Sequence, residues 1–193
     1  MTTTDTVHMR ESTRRRCMLL SLFAGLLFVL PTAQAGSSSY ERFLGNYRGE
    51  SDTVPDGESA KRQMTLQITP SKNGFTVSWN TTISKPGHRP KSKGLSVVFV
   101  ATSKSHTYAS AMRRDMFGNP VPLDLMKGEP LVWATINGDT MTVYLIRILD
   151  DGSQDFQIDR RTRTPDGLRS EFVGLYDGEP LRRIGATLTK IDK

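Results

Sequence analysis

Few side chains in this sequence are suited to acid–base or metal chemistry. Histidine serves both roles near neutral pH, and beyond an apolar N-terminal leader the sequence has two histidines, His88 and His106. His88 lies in a basic loop, and His106 precedes a segment of ambiguous pattern. A histidine-centred metal site would need both residues, with carboxylates brought in from other loops. We expect both to be solvated loop residues and predict no metal site.

Motifs for catalysis and cofactor binding are absent from the sequence. It has no H-E-x-x-H, no G-x-S-x-G, no phosphate-binding glycine loop and no dinucleotide-binding glycine pattern. Asp150 to Asp155 superficially resembles a calcium loop, but it lacks the glycine at the sixth position and the glutamate at the twelfth. A hairpin turn accounts for these residues better. We therefore predict a protein that is not an enzyme and carries no cofactor.

Arg147 is the single residue with the most distinctive setting. It shares one face of a predicted strand with Met141, Val143, Leu145 and Leu149, an otherwise apolar row. If that row faces the interior, the guanidinium must be paired, because an unpaired buried charge is very costly. Its partner would be a ligand carboxylate or phosphate. Alternatively, this face points outward, or Arg147 pairs with an acidic residue of the protein.

Aromatic residues recur along the predicted strands and are candidates for an apolar binding site. They either line the wall of a cavity or fill a solid core, and the sequence pattern does not distinguish between these two arrangements. The candidate ligand-binding residues, with Arg147, are Tyr47, Trp79, Phe99, Trp133, Tyr144, Phe156 and Phe172. Phe75 and Tyr176 belong to the same aromatic set.

The C-terminal third of the chain predicts the arrangement of these residues. Asn-Gly and Asp-Gly pairs separate five apolar or alternating runs, and such pairs favour tight hairpin turns because they tolerate positive φ. The pairs begin at Asn137, Asp151, Asp166 and Asp177. The predicted strands are Leu131–Ile136, Met141–Leu149, Asp155–Thr162, Leu168–Tyr176 and Arg182–Ile191. Five strands joined in this way form an antiparallel meander.

The preceding part of the chain continues the same pattern. Strands are predicted at Gln63–Thr69, Phe75–Ile83 and Leu95–Ala101, and His106–Met112 is either a strand or a short helix. The two prolines of Gly118–Pro122 predict a loop. We count eight to ten strands and no long helix, so we predict an all-β, up-and-down antiparallel fold. Closure into a barrel is favoured because it removes exposed strand edges.

The N-terminus has the pattern of an export signal. Four arginines precede the 13-residue apolar run Met18–Leu30, and Ala33-Gln34-Ala35 follows as a cleavage site. We predict a signal peptide over 1–35 and one barrel domain over 36–193, in a periplasmic or secreted bacterial protein. The alternative is an anchor that stays attached. The adjacent arginines leave both Sec and twin-arginine export open. Cys17, the only cysteine, leaves with the signal peptide, so no disulfide is expected.

The charge of the predicted mature chain is modest. Without the leader, 22 basic and 18 acidic residues remain, a net charge of +4. This value does not indicate a nucleic-acid partner. The basic clusters are interpreted as solvated loops and strand ends, or alternatively as contacts for anionic lipid headgroups or cell-envelope polymers. They are Arg89–Lys91–Lys93, Arg113–Arg114 and Arg160–Arg161–Arg163.

The start of the predicted domain carries a short family pattern. Gly45-Asn46-Tyr47-Arg48-Gly49 resembles the Gly-x-Trp-x-Gly opening of lipocalin-like (calycin) barrels, with Tyr47 in place of tryptophan. The resemblance implies a short helical turn before the first strand and an arginine near the last strand, Arg182 or Arg183, packed over the aromatic ring. Haem-binding members of the family use a late histidine as iron ligand. No histidine follows His106, so haem is not expected.

Two functions follow from this fold. The first is an exported, non-enzymatic barrel that binds a small apolar or amphipathic ligand in its lumen, oriented by Arg147, Tyr47 or Tyr144. The second is a filled barrel that acts as a cell-envelope interaction module through basic loops or a strand edge. An enzyme with carboxylates at the barrel mouth is a third possibility. A lumen cavity of about 300 Å³ or more, lined by the aromatic residues, would favour the first.

Overall fold

The computed structural model describes residues 39–52 and 60–191, and the predicted leader and its cleavage site lie outside these ranges. The Val54-Pro55-Asp56-Gly57 stretch, whose composition predicts a turn, also lies outside them. No helix among the described residues is long and apolar enough to cross a membrane. The described elements are a 3₁₀ helix at Glu41–Phe43, strands β1 (Gly45–Ser51), β2 (Lys61–Ser71), β3 (Gly74–Ser84), β4 (Lys91–Ala101), β5 (Thr107–Ser110), β6 (Arg113–Arg114) and β7 (Pro120–Val121), a second 3₁₀ helix at Leu125–Lys127, and strands β8 (Leu131–Asn137), β9 (Thr140–Ile148), β10 (Gln154–Thr164), β11 (Gly167–Tyr176) and β12 (Glu179–Ile191).

Ten of these strands close into an antiparallel barrel, which confirms the predicted fold class. Their order is β1-β12-β11-β10-β9-β8-β5-β4-β3-β2, and β1 pairs with both β2 and β12 to complete the ring. Each barrel strand is therefore hydrogen-bonded to a neighbour on both sides, which leaves much less free edge than an open sheet would have. Neighbours in sequence are neighbours in the ring, except where β6 and β7 form a separate two-stranded sheet between β5 and β8. This order matches an up-and-down meander.

One end of the barrel is closed by the first 3₁₀ helix. Phe43, the last residue of this helix, is fully buried, and the Tyr47 hydroxyl donates a hydrogen bond to the Phe43 backbone carbonyl (2.7 Å). The Phe75 ring stacks on Phe99 (centroids 5.1 Å apart) and on Tyr40 (5.0 Å). The main hydrophobic core contains the rings of Phe43, Tyr47, Phe75 and Phe99 together with aliphatic residues of β2, β3, β4, β8, β9, β11 and β12, and Tyr40 packs against it. The helical turn that the calycin resemblance implies is present.

Ion pairs tie the short hairpin turns to this closed end. Asp139, in the β8–β9 turn, accepts from Arg163 (3.0 Å) and from Arg42 of the 3₁₀ helix (3.4 Å). Since the strands alternate in direction, the remaining connections lie at the opposite, open end. These are the loop between β3 and β4, the segment 111–130, and the turns before β10 and β12. The Asp177-Gly178 turn has positive φ at both residues (48° and 85°), as its composition predicts.

The segment between β4 and β8 differs in part from the sequence prediction. The ambiguous His106–Met112 stretch is a strand, β5, of four residues. Gly118–Pro122 is predicted to be a loop, and this is wrong for Pro120–Val121, which pairs with Arg113–Arg114 as β7. Proline is excluded from central strands because it lacks an N–H. A two-stranded hairpin consists only of edges, so one proline is accommodated there.

Candidate functional site

The middle of the barrel is filled by a buried arginine. The Arg161 side chain is 2% exposed, and its Nη2 lies 2.5 Å from Oδ2 of Asp159. The Ser170 hydroxyl donates to the other Asp159 oxygen (3.0 Å), and the Trp79 ring lies 5.4 Å from the guanidinium carbon. Nη1 of Arg161 has no hydrogen-bond partner among the described residues. The space beside these groups is about 20 Å³, enough for one water-sized group.

The position of Arg161 follows from strand pairing and not from the pattern of its own strand. Arg161 pairs with Met141 of β9 and with Ser170 of β11, both of which are buried. Side chains directly opposite each other lie on the same face of a sheet. The inward face of β10 is thus the polar one, and Phe156 and Ile158 point outward. The sequence analysis assigned Arg161 to a solvated cluster, which is wrong.

Trp133, Tyr144 and Phe156 do not line the lumen, contrary to the sequence prediction. Trp133 alternates with the buried Val132 and Ala134, so its ring lies on the outer face of the barrel. There it stacks on Tyr144 (centroids 5.0 Å apart), and Tyr144 lies 6.3 Å from Phe156 at an interplanar angle of 12°. The three rings form a row across β8, β9 and β10. They are partly buried by each other and not by the core.

The other predicted residues are divided between the core and the rim. Tyr47 and Phe99 are buried in the core, and Trp79 packs against it while partly exposed. Phe172 lies opposite Asp159, on the inward face of β11. Arg147 shares the inward face of β9 but is 45% exposed and pairs with Asp155 (2.8 Å). Of the interpretations given for Arg147, pairing with an acidic residue of the protein is therefore the one observed.

The arginine expected over Tyr47 is also displaced from its predicted position. Arg182 pairs with Gly174 near the open end, whereas Tyr47 pairs with Lys190 near the closed end, eight residues further along β12. Both Arg182 and Arg183 are exposed. Burial raises the pKa of the Tyr47 hydroxyl, and the positive charge of Arg163 partly opposes this effect. Arg163 of β10 is thus a cation whose charge acts on this hydroxyl.

The apolar cleft of the molecule lies in the barrel wall, where β5 is too short to span it. β5 pairs with only three residues of β4 and three of β8. Beyond Ser110, no strand ladder joins β4 to β8 among the described residues. The chain instead crosses outside, held by a hydrogen bond from the Ala111 N–H to the Val98 carbonyl (2.7 Å). A cleft of about 580 Å³ remains.

The lining of this side cleft is mostly aliphatic. Its apolar residues are Leu95, Val97, Val98, Ala111, Met112, Leu123, Pro130 and Val132, and its polar residues are Ser96, Ser110, Arg113 and Glu129. The core residues Val97 and Val132 belong to this lining, so the cleft reaches the hydrophobic core. Glu129 forms an ion pair with Arg113 and accepts from the Asp124 N–H (2.9 Å). The charged groups of the cleft are therefore already paired.

Two further clefts on the outer face of β1–β4 have a different chemistry. They measure about 620 and 570 Å³ and are lined largely by amide and hydroxyl side chains. Many of these groups pair across strands, as in Gln67 to Asn46 (2.9 Å) and Ser78 with Ser96 (2.7 Å). A polar ladder of this kind satisfies its own hydrogen bonds. Apolar residues make up five of the twelve that line the larger of these clefts and one of the eight that line the other, against eight of twelve in the side cleft. The side cleft is the candidate site for an apolar ligand.

Metal chemistry finds no support in the described part of the chain. No group of three or more histidine, cysteine or acidic side chains there is arranged to hold a metal ion.

The sequence analysis missed the side cleft because its walls come from β4, β8 and an insertion whose pattern is ambiguous. Comparison of the chain with protein-family models, curated proteins and solved structures finds no match.

Proposed function

We propose that this protein is a non-enzymatic, lipocalin-like binding protein that takes a small apolar or amphipathic molecule in the side cleft. The observation that supports it is the 580 Å³ cleft with eight apolar lining residues that reaches the barrel core. Ligand pockets typically measure about 300–1,000 Å³ and are lined mainly by hydrophobic side chains with a few polar groups. The side cleft has this size and composition.

The buried Arg161–Asp159 pair supports the side cleft, and not the barrel axis, as the place where a ligand binds. A ligand in the lumen would have to displace the buried Arg161–Asp159 pair and the Trp79 ring. Breaking such a pair costs about 3–5 kcal/mol. A ligand in the cleft covers aliphatic surface without breaking a buried ion pair. Burial of its apolar part drives binding, and the Arg113–Glu129 pair at the cleft orients a polar end group.

Export is part of the same proposal. The basic, apolar and small-residue segments of the leader support cleavage after Ala35 and action in the periplasm or outside the cell. N-terminal sequencing of the protein isolated from its native compartment tests this point. A chain that begins at Gly36 is expected, and a chain that retains the apolar run contradicts the export proposal.

The binding proposal is tested by filling the cleft. Ala111→Trp puts a large ring into the cleft at an exposed position, and Thr65→Trp is the matched control in the polar clefts of similar volume. We expect Ala111→Trp to weaken binding of the apolar probe 1-anilinonaphthalene-8-sulfonate at least about tenfold, since the ring occupies the probe's space. Thr65→Trp should change binding less than about twofold. Equal effects of the two variants, or no probe binding to the parent protein, would contradict the proposal.

A second candidate function is a filled barrel that acts as an interaction module. The stacked outer row of Trp133, Tyr144 and Phe156 favours it, because aromatic residues on a surface are typical of binding interfaces. Trp133→Ser should then abolish capture of a partner from an envelope extract while leaving probe binding in the cleft unchanged. If Trp133→Ser leaves every captured protein bound, this row is not an interface.

A further inference from the structure

The segment between β5 and β8 exposes large apolar side chains to a degree found almost nowhere else in the described chain. Met116 is 89% exposed, Phe117 and Met126 are each 81% exposed, and Met112 is 57% exposed. These are four of the five most exposed large hydrophobic side chains in the described part of the protein, and Leu181 is the other. Single exposed apolar residues are common, but a cluster marks an interaction site.

Met116 and Phe117 lie at the tip of the β6–β7 hairpin, whose turn is held by one carboxylate. Asp115 accepts hydrogen bonds from the backbone N–H groups of Phe117 (2.9 Å) and Asn119 (2.8 Å) and from the Asn119 side chain (3.0 Å). These bonds, that of the Asn119 side chain first, lower the pKa of Asp115. Arg114 also donates to the Gly118 carbonyl (2.6 Å). The apolar tip is therefore ordered before it meets a partner, which lowers the entropic cost of binding.

The charges of the segment itself are largely paired within it. Arg113 pairs with Glu129, and Lys127 lies 3.4 Å from Asp124. The excess positive charge comes from the adjacent connection between β3 and β4. That stretch carries Lys85, Arg89, Lys91 and Lys93 and has no acidic residue between positions 81 and 114. This basic connection and the hairpin leave the barrel at the same end, and Met112 and Arg113 line one cleft with Leu95 of β4, the strand that carries Lys91 and Lys93.

Two acidic groups of the open end, Asp150 and Asp151, lie on the other side of the segment. The second 3₁₀ helix packs against β9, which leads into Asp150 and Asp151. Asp151 accepts from Ser153 and from the Tyr176 hydroxyl (3.1 Å), so its charge is engaged locally. An incoming surface at the hairpin tip thus meets an apolar projection with a run of cations on one side.

We propose that the β6–β7 hairpin docks the open end of the barrel on an anionic lipid bilayer, with Met116 and Phe117 inserted at the acyl boundary. Interfacial binding of this kind combines buried apolar area with attraction between cationic side chains and anionic headgroups. A second copy of the chain fits this surface poorly, since it would bring the same basic connection against itself. A two-residue apolar tip beside a basic run matches the thin apolar boundary and the charged headgroups of a lipid surface.

This docking goes beyond the proposed ligand binding and does not depend on it. The hairpin begins next to Met112, which lines the side cleft, so docking brings the cleft opening to the bilayer surface. An apolar molecule could then pass between the membrane and the cleft with little exposure to water. The filled-cleft variant Ala111→Trp should retain docking, which separates failure of the two proposals.

The test is co-sedimentation with vesicles of phosphatidylglycerol and phosphatidylcholine, with phosphatidylcholine vesicles as reference. The chain without residues 1–35 is used because it contains every strand of the closed barrel and lacks the apolar leader. We expect M116S/F117S to lower partitioning onto the anionic vesicles at least about tenfold. L181S removes a comparably exposed apolar side chain (71%) from the start of β12, on the opposite side of the ring from the hairpin. It should change partitioning less than about twofold. K91Q/K93Q should reduce the preference for anionic over neutral vesicles.

A spectroscopic readout makes the result independent of folding defects. The emission of the F117W variant should shift to the blue on addition of anionic vesicles and be quenched by brominated acyl chains. An unshifted spectrum would overturn the proposal. Partitioning that is equal for the parent and M116S/F117S, or equal on anionic and neutral vesicles, would also overturn it.

Discussion

The buried Arg161–Asp159 pair gives the most informative test of how the barrel interior is stabilised. Asp159→Ala removes the carboxylate 2.5 Å from Nη2 of a guanidinium that is 2% exposed, and Nη1 already lacks a partner among the described residues. The variant leaves a buried cation without a counterion, and the Ser170 hydroxyl also loses its acceptor. Leaving one member of a buried pair uncompensated costs about 3–5 kcal/mol. Because Asp159 is itself partly exposed, we expect about 3 kcal/mol.

The reverse change should be much less costly. Arg161→Met removes the charge and its unpaired nitrogen while retaining an unbranched side chain that packs on Trp79. Asp159 is 18% exposed and keeps its bond from Ser170, so solvent can partly compensate it. Replacing buried ionic groups by apolar ones of similar volume is often neutral or stabilising. We expect Arg161→Met to change the free energy of unfolding by about 1 kcal/mol or less.

The measurement is urea unfolding followed by the fluorescence of the two tryptophans, Trp79 and Trp133. Glu171→Ala is the matched control, because its pair with Arg160 lies next to the buried pair, joins β10 to β11 at 3.8 Å and has both side chains more than half exposed. Exposed pairs contribute about 0–1 kcal/mol. A loss below about 1 kcal/mol for Asp159→Ala, or equal losses for Asp159→Ala and Arg161→Met, would refute the reasoning.

Three further predictions concern other parts of the barrel. Tyr47→Phe should cost about 1–2 kcal/mol, because the buried Phe43 carbonyl loses its donor. Burial also raises the pKa of Tyr47, so the unfolded chain releases this proton first. The parent should therefore lose stability more steeply than the variant above about pH 10, which urea titrations at several pH values would detect. Gly49→Ala should destabilise the barrel by more than about 2 kcal/mol, since a Cβ there meets a β12 carbonyl oxygen. Gly174→Ala, which meets only a ring edge at 3.4 Å, should cost less than half as much by thermal unfolding. Asp139→Asn removes an exposed bridge between two arginines and should lower the melting temperature by only a few degrees. A larger drop would show that the bridge itself closes the end.

Much of the fold is predictable because it depends on local signals. The Asn-Gly and Asp-Gly pairs mark the hairpin turns correctly, and alternation in β2 and β3 predicts the inward placement of Leu66, Ile68 and Val77. Short connections then leave an up-and-down order as the simplest pairing. Function is less accessible, because the sequence contains no motif that binds a cofactor or activates a nucleophile. The candidate residues chosen for their aromatic character are consequently divided between the core, the rim and the outer face.

The inward face of β9 and β10 is the point at which pattern alone fails. β9 is apolar on both faces. In β10, Phe156 and Ile158 lie on the face opposite to Asp159 and Arg161, so the pattern predicts that Phe156 and Ile158 point inward, which is the reverse of the observed orientation. The pairing of Arg161 with Met141 and Ser170 decides the outcome, since a strand in a closed ring must match the faces of both neighbours. The side cleft likewise exists only because a short β5 leaves β4 and β8 apart. By itself the sequence determines the strands, their turns and their order, because these depend on residues close together in the chain. The face that each strand buries and the position of the cleft depend on contacts between distant strands, so only the tertiary structure decides them.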